Sequence, residues 1–521
     1  MAVTETRPAS GTGTPSGPER AAPGVLERAL GGADHTTIGR MFVVTGLALF
    51  GVAIVARLLV GVDAVSDNAV LGDSLSMVSS SARVLGPLSL VGAMTGVLVL
   101  LVPLQLASPA ISYPRAAALA YWTWLLSSIV FIVSAGFDGG IGGADTSAAR
   151  LGNVSMGAMM ASLALASVCV ATTVLTHRPA GMGLARVPFL SWAALLGSSL
   201  WIITVGSAFA HVVLGQVSRA EAPGLAENFV NGVLWMTRAP AVYVMAIPVL
   251  GVALDVVSTA TGSRVRPYGV AQGLIGAFAL LSIGVWAQGD EAVNTAMWTL
   301  YALAIGLPVV GILGLVGDLA RRGRVRYSPA LLLSLVSILF ILGAVVSGLI
   351  WSITLAGSGN LLGFDVRLLG AAQVTFIGAS VLSGTLAAVF HWSPQFWGGR
   401  VAAAPANAGA LLVIAGGGLL STIVLVQGLV QQDGEATANA FFGGVVVLAA
   451  ALYLLGVLAS GSAMRSAAAA AADGVGDGEQ VGGTLEWAAS SPAHGDEVPD
   501  DLPAVTSPYP LADARDEEAA R

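Results

Sequence analysis

The chain has 521 residues, 55% of them hydrophobic and only 10% charged, with a mean hydropathy of +0.81. That balance excludes a soluble globular domain and points to a polytopic membrane protein. The net charge of −7 is unevenly placed: residues 466–521 hold 12 acidic and 2 basic side chains, which leaves 21 basic against 18 acidic elsewhere, so the acidity belongs to the tail and implies no nucleic-acid partner. The single cysteine, Cys169, excludes a disulfide framework and a cysteine metal site.

Residues 1–36, rich in Ala, Gly, Pro, Thr and Glu and without an apolar core, read as a disordered cytoplasmic arm rather than a signal peptide. Twelve apolar segments follow, at 41–62, 82–106, 116–136, 152–175, 188–213, 229–257, 268–287, 292–316, 328–355, 367–390, 406–428 and 438–463. Each is long enough to span a bilayer as a helix. They make a membrane domain over 37–465, followed by an acidic, mostly extended cytoplasmic tail over 466–521.

Alternate short loops carry Arg115, Arg178, Arg186, Arg264, Arg266, Arg321, Arg322, Arg324, Arg326 and Arg400, against Arg150, Arg219 and Arg367 in the other set. The positive-inside rule then places both termini in the cytoplasm. All 23 basic residues are arginine, which a high-GC genome accounts for, so the expected location is the plasma membrane of a high-GC bacterium. The 66 glycines suit close helix packing.

The stretch Asn228–Gly269 is unusual. It has the apolarity of a spanning helix, yet it holds Arg238, Pro240 and Tyr243 near its middle. A charge at bilayer depth normally faces a bundle interior or a wet cavity. Ala239–Tyr243 reads A-P-A-V-Y, and T-G-S-R-V-R-P-Y-G follows. This pattern resembles the sixth helix of subunit I of the heme-copper (cytochrome c) oxidases, H-P-E-V-Y with a downstream glycine-proline loop.

Four further places are similar to that family in the same order. They are Leu101–Arg115 (L-V-P-L-Q-L-A-S-P-A-I-S-Y-P-R), Ser282–Ala287 (S-I-G-V-W-A), Asp365 to the H-W-S-P of His391–Pro394, and T-L-E-W at Thr484–Trp487. The resemblance implies an all-α integral membrane fold of twelve transmembrane helices in the oxidase subunit I arrangement. It also implies heme and copper as the family's cofactors.

The family's metal-ligand positions fall on Ser80, Ala239, Gln288, Gly289, Ala372 and Val374, none of which is histidine. The gating glutamate of helix six is Ala241, and the proton-channel lysine has no counterpart because the chain contains no lysine. Heme iron needs axial donors and copper favours imidazoles. No bound heme or copper is therefore expected, and oxygen reduction by the family mechanism is not expected either.

The residues that would face the vacated space are Arg238, Tyr243, Trp286, Gln288, Gln373 and Arg57. Arg238 either occupies the copper volume and binds an anion or headgroup, or pairs with a carboxylate or helix-end carbonyls. Tyr243 and Trp286 correspond to the family's redox tyrosine and copper-side tryptophan, and read here as packed aromatics. Gln373 reads as a buried packing amide. Arg57 matches a heme-contacting arginine and, without heme, snorkels to the interface. His391 reads as an anchor at a helix end and His211 as a structural histidine.

The chain thus reads as a ligand-depleted, non-catalytic oxidase subunit I-like protein, with a subunit II-like or other respiratory subunit and the lipid bilayer as partners. The alternative is a small-molecule or ion transporter that uses the vacated heme cavity, with Arg238 as anchor.

Overall fold

The computed structural model describes residues 32–66, 69–221, 242–284, 295–356, 364–430, 439–472, 482–494 and 502–521. The helices are α1 (His35–Val65), α2 (Leu75–Gln105), α3 (Pro114–Gly136), α4 (Thr146–Thr176), α5 (Phe189–Glu221), α6 (Ile247–Thr261) and α7 (Tyr268–Ser282). There follow α8 (Thr295–Arg322), α9 (Pro329–Ala356), α10 (Val366–His391), the short α11 (Ser393–Trp397), α12 (Ala403–Val430), α13 (Asn439–Ala472) and α14 (Pro510–Ala520). Among the described residues eleven helices are long and apolar enough to cross a membrane, and α7 is a shorter apolar helix.

Their ends are written locally. Asp34 caps α1 by accepting the amides of Thr36 (3.1 Å) and Thr37 (3.0 Å). Asp145 caps α4 through Ala148 N–H at 2.7 Å, and Asp365 caps α10 through Arg367 and Leu368 N–H at 2.8 and 3.1 Å. Each carboxylate satisfies amides that have no intrahelical acceptor. Pro114 opens α3, where a missing N–H costs nothing, and Gly262, at φ 61°, closes α6 in the left-handed conformation that glycine adopts freely.

Sequence neighbours pack pairwise, α1 on α2, α3 on α4, α9 on α10 and α12 on α13, and α13 returns to pack on α1. Among the described residues three helices lie inside. The most apolar stretches of Gly72–Gln105, Val244–Thr261 and Val366–His391 are 89%, 89% and 72% buried, against 39% for Pro114–Gly136 and 33% for Ala440–Ala472. Close approach is built on glycine: a Cβ on Gly96 would lie 2.6 Å from Gly39 O, and one on Gly46 2.7 Å from Ala93 N.

The C-terminal part departs from the expected boundary and shape. α13 continues through Ala472 instead of ending near 463, because the alanine run Ala467–Ala472 has the highest intrinsic helix preference. Among its described residues the tail is not mostly extended: they hold the end of α13, a 3₁₀ turn at Leu485–Ala488 and the helix α14. Arg264 clamps α14 through Asp513 (2.7 Å) and Asp516 (2.6 Å), and Arg40 of α1 donates to Ala493 O at 2.9 Å. The arginines at this end hold the tail by charge and by backbone carbonyls.

Candidate functional site

Two places on the three buried helices carry polar chemistry. The first lies around the predicted ligand positions. Ser80 on α2 and Ala372 on α10 are buried, and Val374 is partly buried. Between the two α10 positions, Gln373 is buried and donates from Nε2 to the hydroxyl of Tyr243 at 2.8 Å. Tyr243 donates in turn toward Ala344 O at 3.5 Å and meets Phe278 edge-on at 5.7 Å. A Cβ on Gly348 of α9 would lie 2.6 Å from Gln373 Nε2, so the amide fits only against bare backbone. Arg57 is half-buried on α1, within electrostatic reach of Arg83 on α2.

Arg238, Ala239, Trp286, Gln288 and Gly289 lie outside the described residues, as does the side chain of His211. The transport alternative, which is anchored on Arg238, therefore gains nothing from the structure.

The side chains at the described positions predicted for ligands do not fit heme iron or copper. They are a hydroxyl, a methyl and an isopropyl group, and the one amide between them is committed to Tyr243. Among the described residues no group of three or more His, Cys, Asp and Glu is arranged to hold a metal.

Removing the phenol tests the amide pair. Tyr243→Phe is expected to cost about 1–2 kcal/mol, because Gln373 then keeps a buried donor without that acceptor. Adding Gln373→Leu to Tyr243→Phe should recover part of the loss. Thermal unfolding of the detergent-purified single and double variants reads the coupling, and strict additivity would contradict it.

The second place is a buried polar network where the tail meets the bundle. Gln105, the last residue of α2, accepts from Ser191 Oγ (2.7 Å) and Ser191 N (3.2 Å) at the start of α5. Because its oxygen must face those donors, its NH₂ must face the other way. There it donates to Asp255 Oδ2 of α6 (3.3 Å) and to Glu486 Oε1 of the tail (3.4 Å). Asp255 also accepts Leu190 N–H at 2.9 Å, on the positive end of α5.

Glu486 Oε1 further accepts from Thr484 Oγ (2.7 Å) and from the indole of Trp392 (3.1 Å), the residue that closes α10. Gln395 donates to the backbone oxygen of Glu486 at 3.3 Å, and its own oxygen accepts from Ala493 N at 3.1 Å through the main chain. His391 stands edge-on to Trp392 (4.7 Å) and Trp487 (5.3 Å). Burial holds the Glu486 carboxyl above the usual carboxylate range despite the three donors on Oε1.

The sequence reading missed Gln105, Ser191 and Asp255. A signal existed, since Asp255 is a carboxyl within the predicted segment 229–257 and an acid inside a spanning segment is a site hypothesis by default.

Long, apolar, mutually buried helices joined by short arginine-bearing loops define a polytopic α-helical membrane protein. The chain belongs to the Cytochrome C and Quinol oxidase polypeptide I family, whose model matches residues 37–481. Among individual proteins it is 25% identical over 408 residues to the heme-copper oxidase subunit I+III of Aeropyrum pernix, covering 70% of this chain and 48% of that protein. It is 26% identical over 284 residues to a probable cytochrome c oxidase subunit 1-alpha of Streptomyces avermitilis, covering 49% and 48% of the two chains. It is 24% identical over 395 residues to cytochrome c oxidase subunit 1 of Bacillus subtilis, covering 70% and 62%. The chain spans about half the length of the first two.

Proposed function

We propose that this chain is a non-catalytic member of the heme-copper oxidase subunit I family, a membrane subunit or scaffold that keeps the helical frame without holding heme or copper. One contrast supports the reading. The helices α2 and α10 carry a buried polar network at the tail end, through Gln105 and the adjoining Trp392, and on the same helices the predicted ligand positions carry Ser80, Ala372 and Val374. A frame decaying at random would lose both ends; under this reading the chain has given up the metal donors while its T-L-E-W segment stays docked.

A scaffold needs a partner, and a subunit II-like or other respiratory membrane subunit is the class that a subunit I frame fits. Under this reading both termini lie in the cytoplasm, on the side of the arginine-rich loops.

The test is the absorption spectrum and metal content of the full chain purified in mild detergent. The expected result is no Soret band, with iron and copper far below one atom per chain. Stoichiometric iron and copper together with a Soret band would overturn the proposal. Chemical cross-linking in native membranes should in addition capture a second membrane subunit on this chain.

A further inference from the structure

The network at the tail dock has an asymmetry that the scaffold reading does not use. Glu486 is fully buried, and three donors converge on its Oε1. Its Oε2 is also buried and has no hydrogen-bond partner. A carboxylate would distribute donors over two equivalent oxygens. A carboxylic acid has one carbonyl oxygen that accepts, which matches the three donors on Oε1, and one hydroxyl, which would be Oε2. Gln395, which bonds the Glu486 main chain, has a buried Oε1 without a donor, and the buried Trp487 Nε1 and His391 Nε2 are likewise without a hydrogen-bond partner.

The charges around the pair point the same way. Asp255 and Glu486 receive the two hydrogens of a single amide nitrogen, Gln105 Nε2, so their carboxyls are close neighbours. Asp255 has the α5 N-terminus to support a negative charge, and Glu486 has no such support.

Among the described residues no cation forms an ion pair with Glu486. Arg40 of α1 donates to the carbonyls of Ala493 (2.9 Å) and Gln395 (3.5 Å) and its buried Nε has no hydrogen-bond partner, Arg264 pairs with Asp513 and Asp516, and Arg515 of α14 donates to Gly482 O at 2.7 Å. His391 of α10 faces aromatic rings. Tyr268 of α7 donates to Val187 O, and Tyr509, just ahead of α14, accepts Val265 N–H. Two like charges sharing one dry site cannot both persist without a counter-ion.

We infer that Glu486 is held as the neutral acid opposite an ionised Asp255, so that the pair stores one proton across Gln105, and that losing this proton undocks the segment Gly482–His494 from the bundle. In that step the O–H bond of Glu486 breaks and its proton passes to solvent base. The buried anion left behind is relieved only when the segment swings out into water. In the undocked chain Glu486 has an ordinary carboxylate affinity for protons, so between that pH and its higher docked value the docked state binds more protons than the free one. Docking therefore weakens as pH rises and is complete only on the acidic side of that window. The inference is independent of whether the chain binds a metal.

Infrared difference spectroscopy on the full chain in detergent tests the stored proton, and hydrogen exchange of residues 484–493, corrected for intrinsic rates, tests the latch. At neutral pH a protonated-carboxyl band should be present in the wild type and absent from Glu486→Gln. Exchange in this segment should rise about ten-fold or more between mildly acidic and alkaline pH in the wild type, and stay flat in Glu486→Gln, which keeps the shape and cannot ionise. Should Glu486→Gln not fold, Asp255→Asn decides: with the neighbouring charge gone, Glu486 ionises more easily and the release midpoint should move down by about one pH unit. A neutral-pH spectrum identical in wild type and Glu486→Gln, or a release midpoint unmoved by Asp255→Asn, overturns the inference.

Discussion

Gly96→Leu is expected to destroy the folded bundle, with a loss above about 3 kcal/mol and no monodisperse protein recovered from detergent. A Cβ at Gly96 would stand 2.6 Å from Gly39 O, 2.7 Å from Phe42 Cβ and 2.7 Å from Val43 N. Two of these are backbone atoms of α1 and cannot move without displacing the helix. α1 in turn is held by α13 on its other side, so the strain has no outlet. Helices in lipid associate through such close contact, because the solvent offers no hydrophobic drive between them. The control is Gly314→Leu on α8, where nothing lies within 4 Å of the added carbon. Its melting temperature should match the wild type or exceed it slightly, since leucine is the better helix former. Equal melting temperatures for the two variants would show that the α1–α2 contact does not limit stability.

Gln105→Leu should be the most damaging single change at the tail dock, costing about 3 kcal/mol. The amide accepts two hydrogen bonds from Ser191 and donates two to carboxyls, so leucine strands donors and acceptors on three elements at once. It also removes the dipole that separates Asp255 from Glu486. By contrast Glu486→Gln keeps an acceptor for Thr484 and Trp392 and should cost little near neutral pH. Unfolding temperatures of the two variants, with proteolytic cleavage in 482–494 as a second readout, distinguish them. If Gln105→Leu melts no lower than Glu486→Gln, the network is not what docks the tail.

The two sites differ in how far the sequence exposes them. Helix starts at Asp34, Asp145 and Asp365 are legible because a capping side chain reaches only two or three residues ahead. The absence of histidine at Ser80, Ala372 and Val374 is equally plain once the register is set by nearby motifs. The pairing of Gln373 with Tyr243 is not, since the two lie 130 residues apart. Neither is the tail dock, where Gln105 finds Ser191, Asp255 and Glu486 at separations of 86, 150 and 381 residues. T-L-E-W could be marked as a motif, but which group its glutamate meets depends on three helix ends converging.

The amino-acid sequence by itself determined that this is a helical membrane protein, where most of its spans lie, and that the positions its motifs align with the family's metal ligands hold no imidazole. Those properties follow from apolar length, local caps and residue identity at fixed spacing. Which helices form the centre was decided only in three dimensions. The span in Gly72–Gln105 has a mean hydropathy of 2.2 and is 89% buried, while that in Ala440–Ala472 reaches 2.5 and is 33% buried. Lipid tails are as apolar as a protein core, so hydropathy cannot tell an inner helix from an outer one. The same holds for the buried acid Glu486: its charge in sequence resembles that of the other acids of the tail, and only the packed bundle withdraws it from water.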